Sequence, residues 1–395
     1  MIRLGLALAC AQVGFHAFVA SLPIALVGAG RDNGEIGAIM GSASLVPLVA
    51  ALAAGGLIDR FGGGRVFLLG AGSFLAAAAL MATGLVSPSS STAALLLVRV
   101  LQGLGLAAVL PASFTLIPNL VAPARLGTAI GVVGVGANVS LAISPPVSLA
   151  ILDRVSFPAV AALAAAVVAL SIVLIWPLMH LGATARNSRL DAEPVRRGVL
   201  GSLRPAWRSA WLPPLLVALL FVAHWGVVTG YLPQRAEGAG ADVGLFFSAD
   251  AVALLLLRIP TGYLADRVGA RWLIVAGVVV TVAALALLLP GPTTLLLVLS
   301  GLGTGAGAAL ILPPINLALT HRSGEADRGS AFALYNVAFS AGVAIGSIGV
   351  APVIGIIGFE TALAVGIATC AVAALVAILD RTPAHVAAPQ PAGSR

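Results

Sequence analysis

Apolar residues run in long blocks along this chain, broken by short polar punctuation. The first block, from Leu4 to about Gly28, is too long for the core of a secretory leader and lacks a small-residue cleavage site before a polar stretch, so it reads as a first spanning helix. Further blocks follow near 36–58, 66–86, 93–118, 126–152 and 157–181. After a polar segment come blocks near 211–233, 243–265, 272–290, 294–319, 329–357 and 359–380. A hydrocarbon layer about 30 Å thick needs about 20 apolar residues per helix. The pattern therefore predicts an all-α, polytopic membrane protein with twelve spans. Period is weak within the blocks, as expected for helices that are apolar nearly all round.

Composition sharpens this picture. Of 395 residues, 60% are hydrophobic and 9% charged, against roughly 25% charged in soluble domains. Mean hydropathy is +1.09. All 21 basic residues are arginine. With the N-terminus placed in the cytoplasm, sixteen arginines fall on the cytoplasmic side, three (Arg31, Arg154, Arg235) on the opposite side and two (Arg99, Arg258) inside spans. That bias predicts cytoplasmic termini in a bacterial inner membrane. It also accounts for the sequence pI of about 10.9 without nucleic acid. Cys10 and Cys370 lie in apolar blocks and read as small hydrophobes, so neither a disulfide nor a metal is expected. No cofactor is expected either.

The polar segment 182–210 carries six arginines against two acids and reads as a linker between halves 1–181 and 211–381. The tail 382–395 reads as disordered. The halves repeat. GGLIDRFGGGR (55–65) returns 207 positions later as GYLADRVGAR (262–271), LGTAIGVVG (126–134) is echoed by RGSAFALYN (328–336), and VLPAS (109–113) by ILPPI (311–315). Two repeated six-helix halves with a site between them at mid-membrane is a transporter architecture.

Across essentially its full length the chain resembles the major facilitator superfamily. Gly55, Leu57, Asp59, Arg60 and Gly62 match that family's first loop signature, and Gly262, Leu264, Asp266, Arg267, Gly269 and Arg271 match the second copy. Two basic residues usually follow the second glycine; here Gly63 and Gly64 stand there and Arg65 comes next. The resemblance implies a gating role for these residues, with Arg258 assigned to structure and gating before the second cassette. Physically, Asp59 and Asp266 lie at span ends, where charge pairs made in one state only would bias two conformations.

Arg99, Gln102 and Gly103 share one face of the fourth helix. An arginine inside the membrane is costly and marks a functional site by default. The stretch resembles the family's fourth-helix signature, which implies proton coupling or a hold on helix 1. Either Gln12 and backbone carbonyls satisfy Arg99, or a carboxylate-bearing substrate does. In helix 5 the family's efflux antiporters carry a glycine-rich signature. Anchored on Pro145, Gly131 matches it, while Ser140, Ser144, Ser148 and Leu149 replace glycines. The resemblance leans toward export.

Asp250 is the one carboxylate well inside a span, and His224 falls at similar depth on the preceding helix. In low dielectric such a pair can bind and release a proton near neutral pH, or it can be a static hydrogen bond that locks two helices. Gln12 and His16 share a face of helix 1; Gln12, His16, Gln102, Asn138, Asn316, Asn336 and Ser340 are expected to line the substrate cavity, Asn336 and Ser340 at i, i+4 spacing. The expected function is proton-driven export of small hydrophobic or amphipathic molecules by alternating access, with small molecules, protons and lipid as partners, acting as a monomer. The alternative is a proton symporter importing a small polar or carboxylate nutrient. An enzyme is disfavoured: there is no HExxH and no second intramembrane acid, and ATP-driven pumping lacks a phosphate loop.

Overall fold

A computed structural model describes residues 1–122, 126–179, 210–268, 270–323 and 328–380. Most of the expected linker and the whole expected tail lie outside these residues. The described residues form twelve α-helices and no strand. They are α1 (Ile2–Gly28), α2 (Asn33–Phe61), α3 (Gly63–Ala82), α4 (Thr92–Leu116), α5 (Leu126–Arg154), α6 (Phe157–Ile175), α7 (Leu212–Glu237), α8 (Val243–Val268), α9 (Ala270–Ala286), α10 (Thr294–Arg322), α11 (Arg328–Ser347) and α12 (Ile354–Leu379). Eight of them (α1, α3–α7, α10 and α12) are long and apolar enough among the described residues to cross a membrane, and α9 and α11 add shorter apolar stretches.

Local chemistry sets the ends. Asp32, Ser91, Ser156 and Thr293 accept from the third amide beyond them and cap α2, α4, α6 and α10. The eleventh helix stops at Ser347, ten residues short of the expected end. Pro352 disfavours helical backbone at Ala351, and the chain turns there instead. Within α12 the backbone breaks at Gly358 (φ 74°), so the regular helix starts where the sequence pattern places it, at Phe359.

Packing repeats between the halves. In the first six helices α1 packs on α5 and α6, α3 on α4 and α6, and α2 on α4; in the second six α7 packs on α11 and α12, α9 on α10 and α12, and α8 on α10. Between the sets, α2 meets α11 and α7, α5 meets α8, and α1 meets α7.

The core is shared at one end only. At the end away from the termini, Val19, Ala20 and Leu149 join Val227, Tyr231, Phe246 and Phe359 in one apolar cluster. At the end where α1 begins and α12 finishes there are two clusters. Leu4, Phe67, Val109 and Val168 form one from the first six helices alone, and Trp211, Val217, Ile315 and Cys370 form the other from the last six. The halves are thus joined at the far end, and each closes on itself at the near end.

Candidate functional site

The middle of α4 holds a buried cation. Arg99 is 1% exposed. Its Nε donates to the Ile39 carbonyl at 3.2 Å, Nη2 to the Met40 carbonyl, and Nη1 to Gln102 Oε1 at 2.6 Å. Gln102 Nε2 in turn donates to the Gly14 carbonyl at 3.2 Å. The Phe15 ring centre lies 5.2 Å from the guanidinium carbon, within cation–π range. One arginine therefore ties α4 to α2 directly and to α1 through Gln102. Of the two sequence-level alternatives, the carbonyls are what the structure uses, with Gln102 in the place expected of Gln12. Gln12 is buried and its Oε1 has no partner.

His16 sits on the same helix and bonds across to α5: its Nδ1 is 3.0 Å from Ser140 Oγ, which is 3.4 Å from Ser144 Oγ. The serines that replace glycines in α5 thus make polar contacts as well as allowing close approach. Ser148 returns its hydroxyl to the Pro145 carbonyl, and Leu149 joins the shared core. Gly131 lies in α5 with its surroundings outside the description.

In the second half, Asp250 is 5% exposed and accepts from Thr304 Oγ1 of α10 at 2.8 Å. His224 does not pair with it. The imidazole Nδ1 contacts the Phe221 carbonyl one turn back and lies 3.5 Å from Cys370 Sγ of α12. The reason is helical direction: equal depth does not make two side chains meet, and here His224 faces α12 while Asp250 faces α10. Asn336 is exposed and donates to the Phe332 carbonyl of its own helix at 3.0 Å rather than to Ser340, which is buried. Asn138 donates to Gly134 at 3.3 Å, and Asn316 Oδ1 is buried without a partner.

Superposing the repeats by their sequence echoes brings out a correspondence. The loop cassettes pair Ala43 with Asp250 and Ile39 with Phe246; the VLPAS and ILPPI stretches pair Gly103 with Gly305, Gln102 with Thr304 and Arg99 with Gly301. A Cβ on Gly103 would come within 2.6 Å of the Ala43 carbonyl oxygen, and one on Gly305 would collide with that of Asp250. Both halves use the same tight crossing, with an embedded cation on one and an embedded carboxylate on the other. In each, the residue preceding the contact glycine is the charge's partner.

The loop cassettes are partly described. Asp59, Asp266, Arg267 and Gly269 lie where side chains or backbone fall outside the description. Arg60 is exposed over the Phe61 ring at 5.3 Å, Arg65 is exposed, and Arg271 is exposed over Trp272 at 5.4 Å. Gly62 has φ 83° between α2 and α3. A Cβ on Gly64 would lie 2.5 Å from Met179 Cα, which explains why the usual basic residue is missing there. Arg258 is exposed two turns from Asp250 on α8, about 12 Å by helical rise.

Sequence reasoning missed the seam between the halves. Ser248 Oγ of α8 donates to the Ala142 carbonyl of α5 at 2.6 Å. Tyr231 donates to the Ser347 carbonyl and fills the space over Gly37 of α2. Gln234 Nε2 is 3.4 Å from Asn33 Oδ1. The signal was present in Pro145–Pro146, since a proline leaves the carbonyl four residues back without its donor. Among the described residues no group of three His, Cys, Asp or Glu is placed to hold a metal.

The Major Facilitator Superfamily profile matches residues 4–242 and 235–394. Among curated proteins, a probable nitrate transporter, NarT, of Staphylococcus haemolyticus is 27% identical over 153 residues, 38% of this chain and 39% of that protein. The uncharacterized protein Mb2288 of Mycobacterium bovis is 31% identical over 188 residues, 46% of each. The chain thus spans less than half the length of these relatives. Among solved structures, a mutant of the nucleoside transporter NupG aligns with a TM-score of 0.77 at 16% identity, covering 96% of this chain and 99% of that one. A POT family transporter in complex with 5-aminolevulinic acid aligns with 0.76 at 15%, covering 95% and 94%. Twelve helices in two repeated sets, a core shared at one end, and a profile match along nearly the whole chain agree: the chain belongs to the major facilitator superfamily of transporters.

Proposed function

We propose that this protein is a proton-coupled secondary transporter that exports small hydrophobic or amphipathic molecules by alternating access. The observation that supports alternating access is the asymmetric core, shared at the far end and divided at the near end, as expected where one seam opens as the other closes; export rests on the resemblance of α5 to the antiporter pattern. With the termini cytoplasmic, as the arginine bias predicts, this arrangement corresponds to the inward-facing state. The halves 1–181 and 211–381 are the bodies that rock, and the loop cassettes around Asp59–Arg65 and Asp266–Arg271 form the contacts of the opposite state.

Asp250 is the proposed proton carrier, since it is a buried carboxylate whose partner is a neutral hydroxyl. Arg99 is proposed to lock α1, α2 and α4 together rather than bind cargo, because three of its N–H groups hold α2 and Gln102 and Phe15 covers it. An apolar substrate is favoured by the same fact: the embedded cation is buried beneath Phe15. Phe15 and Trp225 each pack against both the shared core and the near-end core of their own half, which puts an aromatic of each half where the two diverge.

A second reading, import of a small polar nutrient with protons, is favoured by the names of the relatives, which include a probable nitrate transporter and a nucleoside transporter. Inside-out vesicles with an imposed proton gradient separate the two. Gradient-dependent accumulation of fluorescent lipophilic compounds, abolished by Asp250→Asn, is the expected result. Uptake of carboxylated compounds in right-side-out vesicles alone would establish import instead.

A further inference from the structure

Thr304 is 1% exposed and has one hydroxyl hydrogen with two acceptors in reach: Asp250 Oδ1 at 2.8 Å and the Gly301 carbonyl at 3.1 Å. From this geometry we infer that Thr304 is a positioning residue for proton exchange at Asp250, a hydroxyl relay that satisfies the carboxyl group in both of its protonation states. The inference rests on the reading of Asp250 as the proton carrier.

The two states follow from the donor inventory. A carboxylate only accepts, so in the ionised state Thr304 donates to Oδ1 and its own oxygen lone pairs are left over. When a proton from solvent binds Oδ1, the carboxyl becomes a donor. Oδ1–H then donates to Thr304 Oγ1, and the hydroxyl hydrogen turns to the Gly301 carbonyl. Release reverses both rotations and returns the proton to solvent, and no covalent bond of Thr304 breaks. Neither state strands a buried polar group, which would otherwise cost free energy at each turnover. The frame is stiff enough for this, because the Gly305 backbone rests directly on that of Asp250.

Other titratable groups on the packed helices are engaged elsewhere or lie toward the helix ends. On α7, His224 contacts Phe221 and Cys370, and Tyr231 donates to Ser347. Arg235, near the end of α7, pairs with Glu360 at 2.8 Å. Glu237 is the last residue of α7 and Asp242 precedes α8. On α8 itself Arg258 lies two turns away. Asp153 and Arg154 end α5, Arg271 lies over Trp272 at the start of α9, and His321 and Arg322 end α10, where Arg322 pairs with Asp380. The first half supports the assignment by repetition, since Gln102, the equivalent of Thr304, is the partner of its embedded charge.

The test is infrared difference spectroscopy over a pH series on the purified protein in lipid. The protonated-carboxyl band of Asp250 is identified by its loss in Asp250→Asn. Thr304→Val, which keeps shape but removes the hydroxyl, is expected to move the position of that band, because the protonated carboxyl loses the acceptor for its own hydrogen bond, while Thr304→Ser returns it to wild type. Thr304→Ala makes the same comparison should the valine variant not fold. A band unchanged in position in Thr304→Val and Thr304→Ala would overturn the relay while leaving Asp250 as the carrier. A pH series with no band that Asp250→Asn removes would overturn the carrier and the relay together.

Discussion

Ser248 gives its hydroxyl at 2.6 Å to the carbonyl of Ala142, a carbonyl that Pro146 leaves without a helix donor. The bond crosses between α8 and α5, so it exists only while the far end is closed. A typical hydrogen bond contributes about 1 kcal/mol net, which is roughly a fivefold bias between two states. Ser248→Ala is therefore expected to shift the population toward far-end opening by about that factor. Pulsed electron spin resonance between labels at Val155 and Ala239, one at the far end of each half, reads the change. An unaltered distance distribution would show that the apolar seam alone sets the balance.

Arg99 supplies the second prediction. Removing it takes a charged donor from the Ile39 and Met40 carbonyls and from Gln102 and opens a void beneath Phe15, although the Ile39 carbonyl keeps the hydroxyl of Ser42. Arg99→Ala is expected to cost about 3–5 kcal/mol, the range for breaking a buried charged network. Arg99→Lys should recover little, because a point charge cannot reach acceptors that a planar fork serves together. Thermal unfolding in detergent measures both. Transport of neutral and anionic compounds should fall by the same factor in Arg99→Ala; selective loss of anions would return Arg99 to the cargo site.

These cases show what the sequence carried and what it did not. Span count, repeat and family were legible because they depend on composition and on short motifs such as the LIDRFG and LADRVG cassettes, which survive without knowledge of packing. Arg99 was legible as a cost that needs an explanation. Carbonyls were expected as partners, but which carbonyls, and Gln102 in place of Gln12, were not legible, since no residue code marks a carbonyl. The expected pair of His224 and Asp250 came from depth alone. Depth is set by residue count, but direction is set by helix rotation, which these nearly all-apolar helices do not encode. The seam was hidden for a related reason. Ser248 and Ala142 are ordinary residues, and only a double proline 145–146 hinted that a carbonyl there was free.

The departure of the first loop from the family pattern gives a third prediction. Gly63 would place a Cβ 2.6 Å from Thr115 Oγ1, and Gly64 would place one 2.5 Å from Met179 Cα. The first neighbour is a side chain that can give way, whereas the second is backbone just beyond the turn that follows α6. Gly64→Arg, which restores the usual basic residue, is thus expected to lower stability by about 1–3 kcal/mol, as overpacking does. Arg65→Ala, at an exposed site, should change stability by less than about 0.5 kcal/mol. A stable Gly64→Arg variant would mean that the turn after α6 moves freely.

The last prediction separates the two groups that depth alone had paired. His224 contacts the Phe221 carbonyl and Cys370, and its ring is edge-on to Phe221 at 4.8 Å between centroids. It belongs to the α7–α12 wall. A buried imidazole in that setting holds two helices together, and moving a proton on it would strand a donor or a carbonyl. His224→Gln keeps one donor and one acceptor in the wall, so it should lower thermal stability by about 1–3 kcal/mol and leave the pH dependence of gradient-driven accumulation unchanged in shape. Asp250→Asn should do the reverse, sparing the fold and abolishing gradient-driven accumulation at every pH, because the amide replaces the carboxyl against Thr304 yet carries no exchangeable charge. Parallel pH profiles of the two variants in inside-out vesicles decide the matter. A profile displaced by His224→Gln would place proton exchange on α7 and reduce Asp250 to a structural contact with α10.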